Sequence, residues 1–355
     1  VNASLARRTQ VTIAGRAIGP KQPPYVVAEL SANHGGSLDH ALAVMRAARL
    51  ADADAVKLQT YTADTITIDH DGPEFCVKGG LWDTRRLYDL YQEAHTPWDW
   101  HPALFAKGKE LGIPVFSTPF DDTAVDFLEK LDPPAYKIAS FELVDLPLVR
   151  RIASTGRPTI LSTGMATPEE IAETVSAFRE AGGAELVLLH CVSGYPTPAE
   201  QSNLRRIPQL VEEFGCPVGL SDHTLGIEVA IAAVALGACL IEKHFTLRRA
   251  DGGPDSAFSL EPDELAALVR GVKSAHAALG TGAPARAEVE QGSLAFRRSI
   301  YVVRDVAAGE PLTVDNVRII RPGFGLPPRD MPAVLGKRAR RALSRGTALT
   351  WDAVE

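Results

Sequence analysis

The chain has 355 residues, a formal charge of −7, 45% hydrophobic and 23% charged residues. This is an ordinary globular composition with enough apolar material for a large core, and the acidic balance argues against a nucleic-acid partner, so any anion site must be a local cluster of cations. No apolar run approaches the ~20 residues of a membrane span, residues 1–10 carry two arginines but no apolar leader stretch, and the four cysteines show no CxxC spacing and read as reduced thiols of the cytoplasm.

Residues 11–18 read as a short hairpin that could plug one end of a barrel. After it come eight short, predominantly apolar runs, at 25–30, 55–58, 115–117, 135–138, 159–162, 186–190, 218–221 and 240–244. Runs of that kind are strands covered on both faces. Each is followed by a stretch of helical periodicity, at 39–51, 102–111, 124–131, 146–154, 168–181, 204–214, 228–236 and 263–279. Thr167-Pro168-Glu169-Glu170 supplies an N-cap, a proline at the first helical position and acids in the first turn. Eight alternations of β and α predict a (β/α)8 TIM barrel, which needs about 250 residues. The segment 60–100 is long for a βα loop and rich in aromatics, which marks it as functional.

Composition turns to Gly, Ala and Pro near residue 280. The expected division is a barrel with its hairpin over 1–282, a linker over 283–294 and a small β-rich module over 295–355. Within that module Gly309-x-x-Leu312-Thr313-x-Asp315-x-Val317 repeats as Gly346-x-x-Leu349-Thr350-x-Asp352-x-Val354. Two copies alone are a weak repeat, and a common turn would also explain them.

Barrel enzymes carry their chemistry at the C-terminal ends of the strands. In order, those ends hold Glu29 with Asn33 and His34, Lys57 with Gln59, Ser117-Thr118, Lys137 with Ser140, Ser162-Thr163-Gly164, His190 to Pro196, Ser221-Asp222-His223-Thr224, and Glu242-Lys243-His244. Solvent begins at strand ends, so a single Ser or Thr there means little. Two lysines flanked by apolar strand residues mean more, because a charge is seldom turned inward without a partner. With the hydroxyls they predict a phosphate or carboxylate ligand; phosphoenolpyruvate carries both. His223 and His244 end adjacent strands. Either alone reads as a histidine satisfied by a backbone carbonyl; the pair, at equivalent positions, reads as a metal site with open coordination positions. His190 is a third candidate, for the metal or for substrate. The remaining histidines are assigned no role.

Seven of these stretches, from Ala28-Glu29-Leu30-Ser31-Ala32-Asn33-His34 to Ile241-Glu242-Lys243-His244-Phe245, resemble the sialic acid synthase family in order along nearly the whole chain. The C-terminal module, with Arg321-Pro322-Gly323-Phe324-Gly325, is similar to that family's antifreeze-like (SAF) domain. Leu58-Gln59-Thr60-Tyr61-Thr62, Gly79-Gly80-Leu81-Trp82-Asp83 and Gly252-Gly253-Pro254-Asp255 look like the branch that makes pseudaminic acid. The resemblance implies a transferase that condenses phosphoenolpyruvate and water with 2,4-diacetamido-2,4,6-trideoxy-altrose, releasing phosphate by C–O cleavage. It implies that Lys57, Thr118, Lys137, Ser140, Ser162 and Ser193 hold phosphoenolpyruvate; Ser193 stands where other branches carry an amide. Gln59, Tyr195 and Asp255 would face the sugar, and Glu29 and Glu242 would act on sugar or water. His223 and His244 would hold Mn2+, with Mg2+ or Co2+ as alternatives. Arg321 would reach the sugar from a partner subunit, implying a domain-swapped homodimer.

Three rival readings stand beside this one. A neuraminate or legionaminate synthase would use the same machinery. A synthase acting on a sugar phosphate would need a second cationic clamp, for which Lys78, Arg85 and Arg86 are available. A sugar-binding scaffold on an inactive barrel would need neither the lysines nor the histidines.

Overall fold

The computed structural model describes residues 9–355; the stretch in which no leader is read lies mostly outside them. Strands β1 (Val11–Ile13) and β2 (Arg16–Ile18) pair antiparallel. Eight parallel strands follow: β3 (Tyr25–Glu29), β4 (Ala55–Thr60), β5 (Val115–Pro119), β6 (Tyr136–Ile138), β7 (Thr159–Ser162), β8 (Leu186–Cys191), β9 (Val218–Asp222) and β10 (Leu240–His244). They close in chain order, with β10 hydrogen-bonded to β3. This is the TIM barrel that the alternation predicts.

The strands are covered outside by α1 (Leu38–Leu50), α4 (His101–Leu111), α5 (Asp122–Glu129), α6 (Leu146–Ala153), α7 (Pro168–Glu180), α8 (Arg206–Phe214), α9 (Glu228–Ala235) and α10 (Pro262–Leu279). Side-chain caps start several of them, as N-cap preferences require. Asp121 accepts from the backbone of Thr123 and Ala124, Asp145 from Leu148, and Thr167 with Glu170 forms a reciprocal capping box. The segment 60–100 is not a structureless loop. It contains α2 (Ala63–Ile66) and α3 (Leu87–Ala94), whose short amphipathic patterns are hidden in sequence by the surrounding aromatics.

Residues alternate inward and outward along a barrel strand. One core fills the space between strands and helices. A second fills the barrel's lower interior with Tyr25, Val27, Ala55, Phe116, Ala135, Ile160, Val187, Leu189 and Leu240, against Val11, Ile13 and Ile18 of the hairpin. The hairpin thus stoppers the lower end, as its position ahead of the first barrel strand suggests.

Contacts divide the chain into one unit up to Gly280 and another from Thr281. The second unit pairs β11 (Ser299–Val302) with β12 (Val317–Ile320) around its own apolar core. Both copies of its short repeat fold alike. Gly309 and Gly346 take left-handed φ values of +79° and +89°, and Leu312, Leu349, Val317 and Val354 are buried. Among the described residues no helix is long and apolar enough to cross a membrane, and the four cysteines are unpaired.

Candidate active site

On six of the strands, moving two residues up the inward face exchanges the apolar lower layer for a polar one. Val27 gives way to Glu29, Ala55 to Lys57 and then Gln59, Phe116 to Thr118, Ala135 to Lys137, Ile160 to Ser162, and Leu240 to Glu242 and then His244. Apart from His190, one step out of phase with Leu189 on β8, every strand residue expected at the site therefore faces the barrel interior, and the period-two pattern of a strand is the cause.

At the centre stand Lys57, Lys137, Glu29 and Glu242, all buried. Lys57 pairs with Glu29, and its Nζ lies 3.4 Å from Glu242 Oε1. Lys137 Nζ donates to the same oxygen at 3.1 Å, as does Ser221 Oγ at 3.3 Å. Lys57 also donates to Thr118 Oγ1 at 3.3 Å. Burial works against each charge and the neighbours decide the balance. For Lys57 the two glutamates outweigh burial, so its pKa rises. For Lys137 burial wins and the pKa falls. Glu242, opposed by burial but facing both lysines, is held low. Burial pushes Glu29 up despite Lys57. The sequence reading offers both lysines to a ligand; in the folded chain two carboxylates share them.

The hydroxyls form a second group. Ser140 and Ser193 hydroxyls are 2.8 Å apart. Gly164 sits directly against them with φ +49°, and a Cβ there would come within 2.3 Å of Ser140 Cβ. Ser162 Oγ is buried without a partner, as is Glu242 Oε2. An orphaned buried polar atom costs about 1–3 kcal/mol, so a ligand that satisfies these atoms gains by doing so.

The histidine pair completes the mouth. The rings of His223 and His244 have centroids 5.5 Å apart. His223 Nδ1 lies 3.0 Å from the Val192 carbonyl. A carbonyl only accepts, so Nδ1 carries the proton and the Nε2 lone pair stays free. Burial lowers the His223 pKa to about 4 and that of His244 well below the ordinary value. Both are neutral imidazoles, the form that ligates metals. His244 Nδ1 has no hydrogen-bond partner; Asp255 Oδ2 stands 3.5 Å away. Among the described residues no group of three or more metal-ligating side chains is assembled. The donor set fits an ion held by two imidazoles with its other positions open to water and substrate.

Asp255 also receives the Ser31 hydroxyl at 2.5 Å, and Gln59 Nε2 donates to Ser31 at 2.9 Å. Tyr195 packs 4.3 Å from the His223 ring. Glu29, Gln59, Asp255 and Tyr195 thus stand with the histidines at one end of the barrel. His190 is satisfied instead, its Nε2 2.7 Å from the Ser202 carbonyl. Asn33 and His34 are bound within the barrel structure, to Phe245 and Ser259 and to the Ala94 carbonyl. Arg321 is exposed in the second unit. Of the cations available for a phosphate clamp, Arg85 binds Glu93 at 2.5 Å, Arg86 binds Asp71 at 3.2 Å, and Lys78 is exposed.

Two features escape the sequence reading. Glu142, beyond Ser140, has a buried oxygen without a partner and a carboxyl that burial raises to about 7. Nothing distinguishes it in sequence from a surface loop glutamate. Lys243 and Asp222 form a fully buried ion pair at 2.6 Å, and Lys243 also donates to the Thr224 carbonyl at 2.5 Å. Asp222 in turn accepts from the Thr224 backbone at 2.9 Å, so the pair clamps the turn carrying His223. Their odd-step position between inward residues was the available signal.

Fold and site together define a TIM-barrel protein with a buried cation–carboxylate cluster beneath two neutral imidazoles. The model of the NeuB family matches residues 44–284 and that of the SAF domain matches residues 297–355. The chain belongs to the NeuB family. It is 47% identical to the pseudaminic acid synthase of Campylobacter jejuni over 325 residues, covering 92% of this chain and 95% of that one. It is 42% identical to the pseudaminic acid synthase of Helicobacter pylori, covering 94% and 98%. Among solved structures, the N-acetylneuraminic acid synthetase of Leptospira borgpetersenii superposes with a TM-score of 0.72 at 33% identity, covering 80% and 95%.

Proposed function

We propose that the chain condenses phosphoenolpyruvate with 2,4-diacetamido-2,4,6-trideoxy-altrose and water to give pseudaminic acid and phosphate. The observation that carries this is the convergence of Lys57, Lys137 and the orphaned Ser162 hydroxyl beside two neutral imidazoles in one barrel mouth. Higher identity to pseudaminic acid synthases than to the N-acetylneuraminic acid enzyme supports the particular sugar.

In this reading Lys57 and Lys137 offset the carboxylate and phosphate charges of phosphoenolpyruvate, and Thr118, Ser140, Ser162 and Ser193 donate to its oxygens. Gln59, Tyr195 and Asp255 orient the sugar, with Arg321 of the partner subunit in a domain-swapped homodimer. His223 and His244 would hold a divalent ion, Mn2+ before Mg2+ or Co2+, which would polarise the sugar's carbonyl as a Lewis acid. C3 of phosphoenolpyruvate forms the new bond to the aldehyde carbon, water adds at C2, and the resulting intermediate expels phosphate by breaking its C–O bond. Two carboxylates, Glu29 and Glu242, are in reach for the proton transfers. Unpaired cysteines are consistent with a cytoplasmic enzyme.

The test is phosphate release across a panel of N-acetylated mannose and altrose sugars, with and without chelator. Release should be greatest with the diacetamido-altrose and should stop on chelation or in His244→Ala. Release that survives chelation removes the metal from the reading; release with no sugar in the panel removes the synthase. Phosphoenolpyruvate labelled at its bridging oxygen should leave the label in phosphate.

A further inference from the structure

The hairpin at 76–86 inside the long segment after β4 is built to hold out one side chain. Its base is closed by the Cys76–Arg86 bridge and by hydrogen bonds from Val77 to Arg85 at 2.8 Å and from Thr84 to Val77 at 2.9 Å. Its tip turns through Gly79 and Gly80, at φ +79° and +75°, a backbone that glycine alone adopts freely. Leu81 beside them is exposed, whereas Trp82 is half-buried. The Trp82 indole N–H donates to the Pro254 carbonyl at 2.9 Å, next to Asp255. The ring lies 5.5 Å from Tyr195, which stands 5.3 Å from Phe258 and against His223.

We infer that Trp82 is the outer wall of the sugar subsite and a determinant of which sugar is accepted, an inference that rests on the synthase reading above. The aldehyde carbon must sit beside the histidines to meet phosphoenolpyruvate, held deeper by the lysines. The far carbons of the sugar then extend outward past Tyr195 toward Trp82. There Trp82 offers them C–H and π groups only, because its single polar atom is already committed to Pro254. Such a wall accepts a deoxy C6 methyl or an acetamido methyl. It penalises a hydroxymethyl group, whose hydroxyl would be desolvated without a partner.

Steady-state kinetics of Trp82→Ala and Trp82→Phe, read separately for each substrate, test this. Trp82→Ala should raise KM for 2,4-diacetamido-2,4,6-trideoxy-altrose by about tenfold or more, the scale of a lost apolar pocket contact. KM for phosphoenolpyruvate should stay within about twofold, and the preference over N-acetylmannosamine should narrow. Trp82→Phe should keep most of the wild-type preference. An unchanged sugar KM in Trp82→Ala, or a KM for phosphoenolpyruvate that rises in step with it, overturns the assignment while leaving the synthase intact. Wild-type protein that releases phosphate with neither sugar overturns the synthase reading and this one with it.

Discussion

Lys243 lies one residue from Glu242, yet its ammonium faces the helices and not the barrel interior. There it meets Asp222, and both side chains of the pair are almost fully buried. Replacing Lys243 with Met should leave the Asp222 carboxylate buried without a counter-ion, at a cost of about 3–5 kcal/mol. Urea unfolding would show it, and adding Asp222→Asn should recover part of the loss. Glu142 gives a second residue-scale expectation. Its folded pKa is raised from 4.5 to about 7, so between those values the folded chain keeps a proton that the unfolded chain has lost. Stability should therefore fall as pH rises through this window, by about 3 kcal/mol at most, with the loss complete above about pH 7. Glu142→Gln should abolish this component in thermal melts compared at pH 5 and pH 8. The lysines of the mouth were legible because a charge inside an apolar run announces itself. Glu142 was not, because its burial is made by distant segments.

At the scale of elements, the strands were the most readable part of the sequence. Apolar runs of only a few residues, each followed by a helical stretch, read as covered strands, and strand parity then decides which ends face the interior. The long segment after β4 was legible only as an anomaly of length. Its helices are too short for their periodicity to stand out, and the Trp82 contact spans 172 positions. The turn after β7 shows how one glycine serves an element. Gly164→Ala would force a Cβ against Ser140 and push apart the Ser140 and Ser193 hydroxyls. A displacement of about 1 Å in positioning groups costs up to about a hundredfold in rate. The loss should appear in kcat/KM for phosphoenolpyruvate, with KM for the sugar little changed, the reverse of the pattern expected for Trp82→Ala.

For the molecule as a whole, the division into barrel and module follows from each having its own apolar core. The weak internal repeat of the module proves to be a recurring structural unit, a left-handed glycine followed by a buried leucine and a buried valine. The proposed contribution of Arg321 across a homodimer makes a prediction that no single-chain arrangement shares. Arg321→Ala and His244→Ala should each be inactive alone. Co-expressed at equal levels, they should restore about a quarter of wild-type activity, since half the dimers are mixed and each mixed dimer has one intact site. Absence of recovery would place Arg321 in its own subunit's site or outside the chemistry.

Val11, Ile13 and Ile18 close the floor of the barrel. A closed floor makes the mouth a corridor with one door. Under the proposed roles, two reactants that share one door queue, and the one bound for the lysines at the back goes in first. The products leave in the reverse order, so the sugar acid clears the doorway before phosphate can follow. Initial-rate patterns should accordingly be those of an ordered sequence, because the packed lower interior and the strand pair beneath it leave no second way in.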